Sequence, residues 1–168
     1  MVQLARHFGL RVIGTISSDE KAAFARDQGA DHLINYRTEN VVELVLELTD
    51  GKGVDLALDH LAGPGFEDNF KILAPWGTVV SFGDQNGMPP ADIYSAIRNS
   101  AGKCMGLRWF SMHVYDNDRD RRRRIVGDLI ELLAKFAIRL RLAARLPLAD
   151  AAEAQHLVES ARRLGGSF

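Results

Sequence analysis

The sequence predicts an α/β fold with a parallel β-sheet, because short apolar runs alternate with amphipathic helical segments along most of the chain. Of the 168 residues, 46% are hydrophobic and 26% are charged, which is an ordinary composition for a folded domain. The apolar runs are rich in valine, isoleucine and leucine, and turn residues separate them from the helices, as is typical of strands buried in a parallel sheet. Crossover helices between such strands cover both faces of the sheet.

The first helices and strand carry local signals for their ends. Val2–Phe8 has apolar residues at helical spacing, and Gly9 follows as a C-cap residue. Arg11–Ile16 is apolar and β-branched, which predicts a buried strand. Ser17 and Glu20 have the spacing of a capping box, so we predict that the next helix begins there and runs to the following glycine.

The same alternation continues through the rest of the chain. Further strands are predicted at His32–Tyr36, Val54–Asp59, Gly77–Phe82 and, at a sheet edge, Lys103–Met112, and Leu140–Leu146 is compatible with another. Further helices are predicted at Asn40–Thr49, Phe66–Leu73, Ala91–Arg98 and Asn117–Ala134, and a last helix follows Pro147–Asp150 and ends near Arg163, before a tail at Gly165–Phe168.

Charge and cysteine content exclude several classes of function. The net charge of −1 provides no basic field for nucleic acid or membrane binding. The arginine-rich stretch 119–124 is balanced by Asp116, Asp118 and Asp120 and is interpreted as a solvated helix face rather than a phosphate or nucleic-acid site. Cys104 is the single cysteine, so we expect a buried free thiol, no disulfide, no zinc site and a cytoplasmic location. No apolar run approaches the ~18 residues of a membrane span.

Three stretches resemble a known family. They read VIGTISSDEKAAFARDQGADHLINY, DLALDHLAGPGFEDNFKILAPWGTVVSFG and LRLAARLPLADAAEAQHLVES. In this order they resemble the medium-chain dehydrogenase/reductases, most closely the quinone oxidoreductase group that includes zeta-crystallin. The resemblance implies a Rossmann-like doubly wound sheet in residues 1–138, and a return segment in residues 139–168 that leads toward a GroES-like catalytic domain.

The sequence departs from that family at its start, at Phe136, and at Gly165–Phe168, where the resemblance implies that the family continues into a further strand. The family's first strand, its glycine-rich loop and its GroES-like domain precede the helix that begins here at Val2, and we expect such a segment upstream. Phe136 stands where the resemblance implies a glycine. The first strand is central in the strand order 3-2-1-4-5-6. Its neighbours must therefore pair directly, accept another segment or remain partly unfolded, and we expect the chain alone to bind NADPH weakly or not at all.

The residues that follow the predicted strand Arg11–Ile16 indicate which coenzyme binds. An acid at this strand end binds the ribose of NAD, but Ile16 occupies the position. Ser17, Ser18 and Lys21 instead provide hydroxyls and a cation that suit a 2′-phosphate. The resemblance assigns Lys21 and Tyr36 to that phosphate, which implies NADPH. The alternative is that Ser17 only caps a helix and Lys21 is only solvated.

A second set of candidate residues follows the later strands. Gly63, Phe82 and Gly83 lie at carboxyl ends of predicted strands, where open α/β sheets bind ligands. The resemblance places these turns along the ribose and nicotinamide, whereas the alternative is that the glycines only form turns. His60 is interpreted as a polar residue at a strand end. We assign no catalytic residue and no metal ligand, because the acceptor pocket belongs largely to the family's catalytic domain.

The resemblance implies a reductase without zinc that transfers hydride from NADPH to an electron-poor small molecule such as a quinone or an enone. It also implies a homodimer that pairs through the edge strand Lys103–Met112. Two alternatives remain open: a non-catalytic dimerisation or binding module derived from a reductase, and an enoyl-thioester reductase with the same nucleotide-binding domain.

Overall fold

The computed structural model describes residues 1–89, 92–100, 102–142 and 144–159. Its helices are α1 (Val2–His7), α2 (Asp19–Asp27), α3 (Val41–Leu48), α4 (Asp68–Lys71), α5 (Ile93–Asn99), α6 (Arg119–Ala134) and α7 (Ala151–Glu159). Its strands are β1 (Ile13–Ile16), β2 (His32–Asn35), β3 (Val54–Asp59), β4 (Leu73–Ser81) and β5 (Gly106–Trp109). The chain divides into a first unit, Met1–Glu39 with the described residues from Asp120 onward, and a second unit, Asn40–Arg119.

In the first unit, β1 and β2 form a parallel pair that runs from Ile13 opposite His32 to Ile16 opposite Asn35. Helix α2 crosses between these strands and buries Ala22 and Ala25 with Ile16. Small apolar side chains on this face of α2 let the helix approach the sheet closely, so a two-stranded sheet still has a packed core.

The start of this sheet is held by Asp31. Its carboxylate forms an ion pair with Arg6 of α1 at 2.9 Å and accepts a hydrogen bond from the Val12 N–H at 2.7 Å. The hydrogen bond from Val12, together with the neighbouring Arg6 cation, lowers the pKa of Asp31 below its usual range. The same carboxylate therefore connects α1 with the residues that enter β1 and β2.

In the second unit, β3, β4 and β5 form a parallel sheet in that order. Its core consists of buried apolar residues from β3, β4 and the segment around α4: Ala57, Ala62, Phe66, Phe70, Leu73 and Val79. β3 was expected to be buried, but Leu56 and Leu58 remain 45% and 46% exposed. Leu56 and Leu58 alternate with the buried Ala57, so β3 buries only one of its two faces.

The described strands thus form two sheets rather than one. β1 and β2 correspond to the second and third strands of the order 3-2-1-4-5-6, and β3 to β5 correspond to the fourth, fifth and sixth. The parallel α/β prediction is confirmed. Direct pairing of the second and fourth strands, which was one expected response to the absent first strand, would have produced a single five-stranded sheet.

Several predicted bounds were wrong. Helix α2 begins one residue later than the predicted capping box requires, because Ser18 rather than Ser17 is the N-cap residue. β4 begins at Leu73 rather than Gly77, and a register shift opposite Val54 to Leu56 accommodates Pro75. Helix α4 is shorter than the predicted Phe66–Leu73 and β5 is shorter than Lys103–Met112; residues Met112–Tyr115 form a 3₁₀ turn.

The predicted strand at Leu140–Leu146 is also wrong for the residues of this segment that the structure describes. Gln3 binds the backbone of the residue that precedes the segment: its Oε1 accepts from the Arg139 N–H at 2.6 Å, and its Nε2 donates to the Arg139 carbonyl at 3.0 Å. Inside the segment, Arg141 forms an ion pair with Asp27 at 2.5 Å. Side chains of α1 and α2 therefore contact this part of the chain.

Cys104 was expected to be buried but is exposed, because it lies in the turn before β5 with φ 50°. Phe136 does adopt the left-handed conformation of a glycine, with φ 57°. Residues Arg119 to Arg124 are all exposed, as a solvated helix face requires. The predicted end of the last helix at Arg163 and the tail Gly165–Phe168 lie outside the described residues.

Candidate functional site

In the first unit, the predicted phosphate-binding residues lie in two adjacent turns. The N–H of Tyr36 donates to the carbonyl of Ile16 at 3.1 Å, which continues the pairing of β1 and β2 one residue beyond the strands. Ser17 and Ser18 follow Ile16 directly, so the turn after β1 lies beside the turn after β2. The geometry therefore brings Ser17 and Tyr36 together, and Tyr36 is half exposed.

Ser18 and Lys21 also have a structural role at the start of α2. The Ser18 Oγ accepts a hydrogen bond from the Lys21 N–H at 3.4 Å. A hydroxyl that accepts in this way can still donate its own proton to an anion. The helix N-terminus favours an anion as well, whereas Asp19 and Glu20 in the first turn oppose one.

The turn after β2 is fixed by two side chains that the sequence reasoning missed. Asn35 Oδ1 accepts from the Arg37 N–H at 3.1 Å, and Glu39 Oε2 accepts from the Asn35 N–H at 2.6 Å. Asparagine commonly closes a turn in this way, so an asparagine at a strand end was the available signal. These bonds fix the backbone conformation of the turn that contains Tyr36.

In the second unit, Asp59 organises the turn at the end of β3. Its Oδ1 accepts hydrogen bonds from the N–H groups of Leu61 and Ala62 at 2.9 and 2.8 Å. Its Oδ2 accepts from the Asn69 side chain at 2.7 Å. From the sequence, Asp59 was predicted only as the end of a strand. An aspartate shortly before a glycine is nevertheless a known turn signal, and here Gly63 follows Asp59 by four residues.

Gly63 and Gly83 are required by the packing of two loops against each other. A Cβ on Gly83 would lie 2.4 Å from the His60 carbonyl oxygen, and a Cβ on Gly63 would lie 2.6 Å from the Asn86 carbonyl oxygen. The Asn86 N–H also donates to the Leu61 carbonyl at 2.8 Å. Both glycines therefore have a structural reason, and their role toward a coenzyme stays a prediction.

Phe82 forms an aromatic ledge with His60. Their rings stack with centroids 5.8 Å apart and planes 25° apart, and the Phe82 N–H donates to the Asp59 carbonyl at 2.9 Å. The His60 Nε2 and the Ser81 Oγ are buried without a hydrogen-bond partner among the residues that the structure describes. The ledge lies at the carboxyl ends of β3 and β4, as predicted for Phe82.

Among the described residues, no cavity, metal-ligand group or membrane-spanning helix adds a residue to the two candidate sites. Leu133, Phe136, Ile138, Arg139 and Leu140 line an open depression of about 450 Å³, and no predicted coenzyme residue contributes to it. Within the described ranges, no group of three or more histidine, cysteine or acidic side chains is placed to hold a metal ion. No helix in the same ranges is both long and apolar enough to cross a membrane.

Residues 1–119 match the family model described as zinc-binding dehydrogenase. A quinone oxidoreductase of Pseudomonas aeruginosa is 36% identical over 165 residues, which are 98% of this chain and 50% of that protein. The crystal structures of a Pseudomonas syringae quinone oxidoreductase and of the Escherichia coli quinone oxidoreductase complexed with NADPH align with TM-scores of 0.87 and 0.86 at 30% and 29% identity. Each alignment covers 96% of this chain and about half of the solved chain (49% and 50%). The chain thus spans about half the length of the curated relatives it matches.

Proposed function

Because this chain belongs to the zinc-binding dehydrogenase family of medium-chain dehydrogenase/reductases, we propose that it is the nucleotide-binding part of an NADPH-dependent oxidoreductase. The reaction is hydride transfer from the nicotinamide to an electron-poor acceptor, of the quinone or enone class. Support comes from similarity to quinone oxidoreductases along 98% of the chain and from the NADPH that one solved neighbour holds. The family name does not assign a zinc ion to these residues.

One observation carries the choice of NADPH over NADH. The Tyr36–Ile16 hydrogen bond joins the turns after β1 and β2, and no carboxylate stands at the end of β1. A carboxylate there would bind a free ribose 2′-hydroxyl and repel a phosphate. Ser17, Ser18 and Lys21 offer hydroxyl donors and a cation instead, which fit a phosphate at the N-terminus of α2.

The residues of this chain then bind and orient the coenzyme. Lys21 and the two serines hold the 2′-phosphate, and the ring of Tyr36 flanks the adenosine. In the second unit, Gly63, Phe82 and Gly83 are the proposed contacts for the ribose and nicotinamide. The coenzyme supplies the hydride. Hydride transfer from the coenzyme does not require a nucleophile from this chain, and we assign none of its residues a catalytic role.

Lys21→Gln tests the proposal in the full-length gene product. Loss of one charge-assisted contact should weaken NADPH binding about tenfold to a hundredfold, since such contacts contribute roughly 1.5–3 kcal/mol. NADH binding should change less than about twofold. Lys52→Gln removes an exposed lysine of the second unit and is the matched control. Calorimetric titration gives both affinities. Equal wild-type affinities for NADH and NADPH would refute the coenzyme assignment.

Acceptor assays separate the two alternatives. Turnover with a small quinone or an enone supports the proposed reaction, whereas turnover only with an enoyl thioester assigns the chain to the enoyl-reductase alternative. A wild-type protein that binds neither nicotinamide coenzyme and turns over no acceptor would be the non-catalytic module instead.

We further propose a homodimer that forms through β5 and a cytoplasmic location. β5 is the last strand in the order β3-β4-β5, and Leu107 and Trp109 are 43% and 55% exposed beside its open edge. An unpaired edge with exposed apolar residues favours pairing with a second copy. Leu107→Pro should give monomers in analytical ultracentrifugation while far-UV circular dichroism stays unchanged. A dimer that survives this change would exclude the β5 interface.

A further inference from the structure

The side chain of Arg37 is a cation beside the proposed phosphate site. Arg37 follows Tyr36 directly and is exposed. Among the residues that the structure describes, none forms a hydrogen bond or an ion pair with its guanidinium. Its backbone, by contrast, is fixed, because the Arg37 N–H donates to Asn35 Oδ1 at 3.1 Å. The turn thus holds the residue in place and leaves its charged group available.

The carboxylate in the same turn is engaged elsewhere. Glu39 Oε2 accepts the Asn35 N–H at 2.6 Å, and the Glu39 N–H donates to the Asn35 carbonyl at 2.9 Å. These two bonds connect Glu39 to Asn35, the residue at which the turn begins. A carboxylate that is bound to backbone in this way does not have to be displaced before Arg37 contacts an anion.

The turn that contains Arg37 lies beside the serine turn, because the Tyr36 N–H donates to the Ile16 carbonyl at 3.1 Å. Ile16 and Asn35 are the last pair of the sheet, and Ser17 and Ser18 follow one of them as Tyr36 and Arg37 follow the other. Neighbouring strands lie about 4.8 Å apart. A guanidinium also presents two parallel N–H donors to a phosphate, which a lysine cannot do.

We propose that Arg37 is a second cation for the 2′-phosphate and determines, with Lys21, the preference for NADPH over NADH. This inference rests on the proposed function. It goes beyond that function in the residue that it names, because NADPH was assigned above from Ser17, Ser18 and Lys21 without Arg37. The ligand group is a phosphate monoester on the adenosine ribose.

Arg37→Gln tests the role of this side chain. Adenosine 2′,5′-bisphosphate and adenosine 5′-monophosphate differ only by the 2′-phosphate, so they are the probes, together with NADPH and NADH. The variant should bind the bisphosphate and NADPH about tenfold more weakly, and the monophosphate and NADH within about twofold of wild type. Arg37→Lys should restore part of the loss, because it keeps the charge without the paired donors.

Arg26→Gln is the control, because Arg26 is also exposed and lies in the last turn of α2, at the opposite end from Ser18. All variants are compared in the full-length gene product, and only variants whose melting temperature agrees with that of the wild type are used for the comparison. An Arg37→Gln protein that keeps the wild-type preference for the bisphosphate overturns this inference and leaves the proposed function intact. A wild-type protein without any preference for the bisphosphate overturns both.

Discussion

Phe136 ends helix α6 in a backbone conformation that favours glycine. Its φ is 57°, its N–H donates to the Leu133 carbonyl at 3.1 Å, and the Ala137 N–H donates to the Leu132 carbonyl at 2.9 Å. These two bonds define a Schellman motif with Phe136 at the C′ position. Any residue with a Cβ has a cost of roughly 1–2 kcal/mol in this left-handed conformation.

Replacement by glycine and by alanine separates the backbone cost from the ring. Phe136 is 75% exposed, and both variants lose the same limited packing of its ring. Glycine removes the left-handed cost of roughly 1–2 kcal/mol but adds roughly 0.5–1 kcal/mol of unfolded-state entropy. Phe136→Gly should therefore be about 0.5–1 kcal/mol more stable than Phe136→Ala.

Gly127 provides a control of opposite sign within the same helix. It lies inside α6, and an added Cβ would meet no atom within 4 Å. Gly127→Ala should therefore raise the stability by about 0.8–1 kcal/mol. Urea unfolding at constant m-value measures all three variants. The reasoning is refuted if alanine is as stable as glycine at position 136 while the change at position 127 has the expected sign.

Three further changes address the strand ends and acid stability. Gly83→Ala should destabilise by about 1–3 kcal/mol, because the new Cβ would lie 2.4 Å from the His60 carbonyl oxygen; an unchanged melting temperature would contradict this. Asp59→Ala removes the acceptor of three hydrogen bonds and should cost about 2–3 kcal/mol, whereas a loss below about 0.5 kcal/mol in urea unfolding would show that the turn holds without it. The hydrogen bond from Val12 lowers the pKa of Asp31, so its carboxylate stabilises the fold above its unfolded pKa of about 3.9 and loses this effect as the pH falls through the lower folded pKa. Asp31→Asn should reduce the acid sensitivity of the melting temperature below about pH 4, and an unaltered acid profile would argue against it.

The sequence predicted strands well where an apolar run is isolated by polar or glycine residues. β3 was predicted with its observed bounds, Val54–Asp59. The prediction of strands failed where strand formation depends on a second segment of the chain. The segment Leu140–Leu146 has strand-like composition, but Gln3 satisfies the backbone of Arg139 and no strand forms among its described residues. The start of β4 was missed because Pro75 argues against a strand, whereas a bulge accommodates it.

The candidate site shows the same division. Residue types after the first predicted strand identified Ser17, Ser18 and Lys21 as candidates, and the family resemblance assigned Lys21 and Tyr36 to the phosphate. Asn35 and Asp59 are turn-forming residue types at strand ends, which was an available signal, but the backbone N–H groups that each one binds are identified only in the folded turn. Local chemistry is thus readable from residue order, whereas a contact across a turn requires the geometry.

Residues that packing requires carry less information about a ligand than residues that packing leaves free. Gly63 and Gly83 are explained by the carbonyl groups that face them, and Ser18 is explained as a helix cap. Tyr36 and Arg37, in contrast, are exposed on a turn whose backbone bonds do not involve their side chains. The case for a phosphate-bearing coenzyme therefore depends mainly on the side chains after β2 and on Lys21. For this reason the binding experiments vary cations in the first unit rather than glycines in the second.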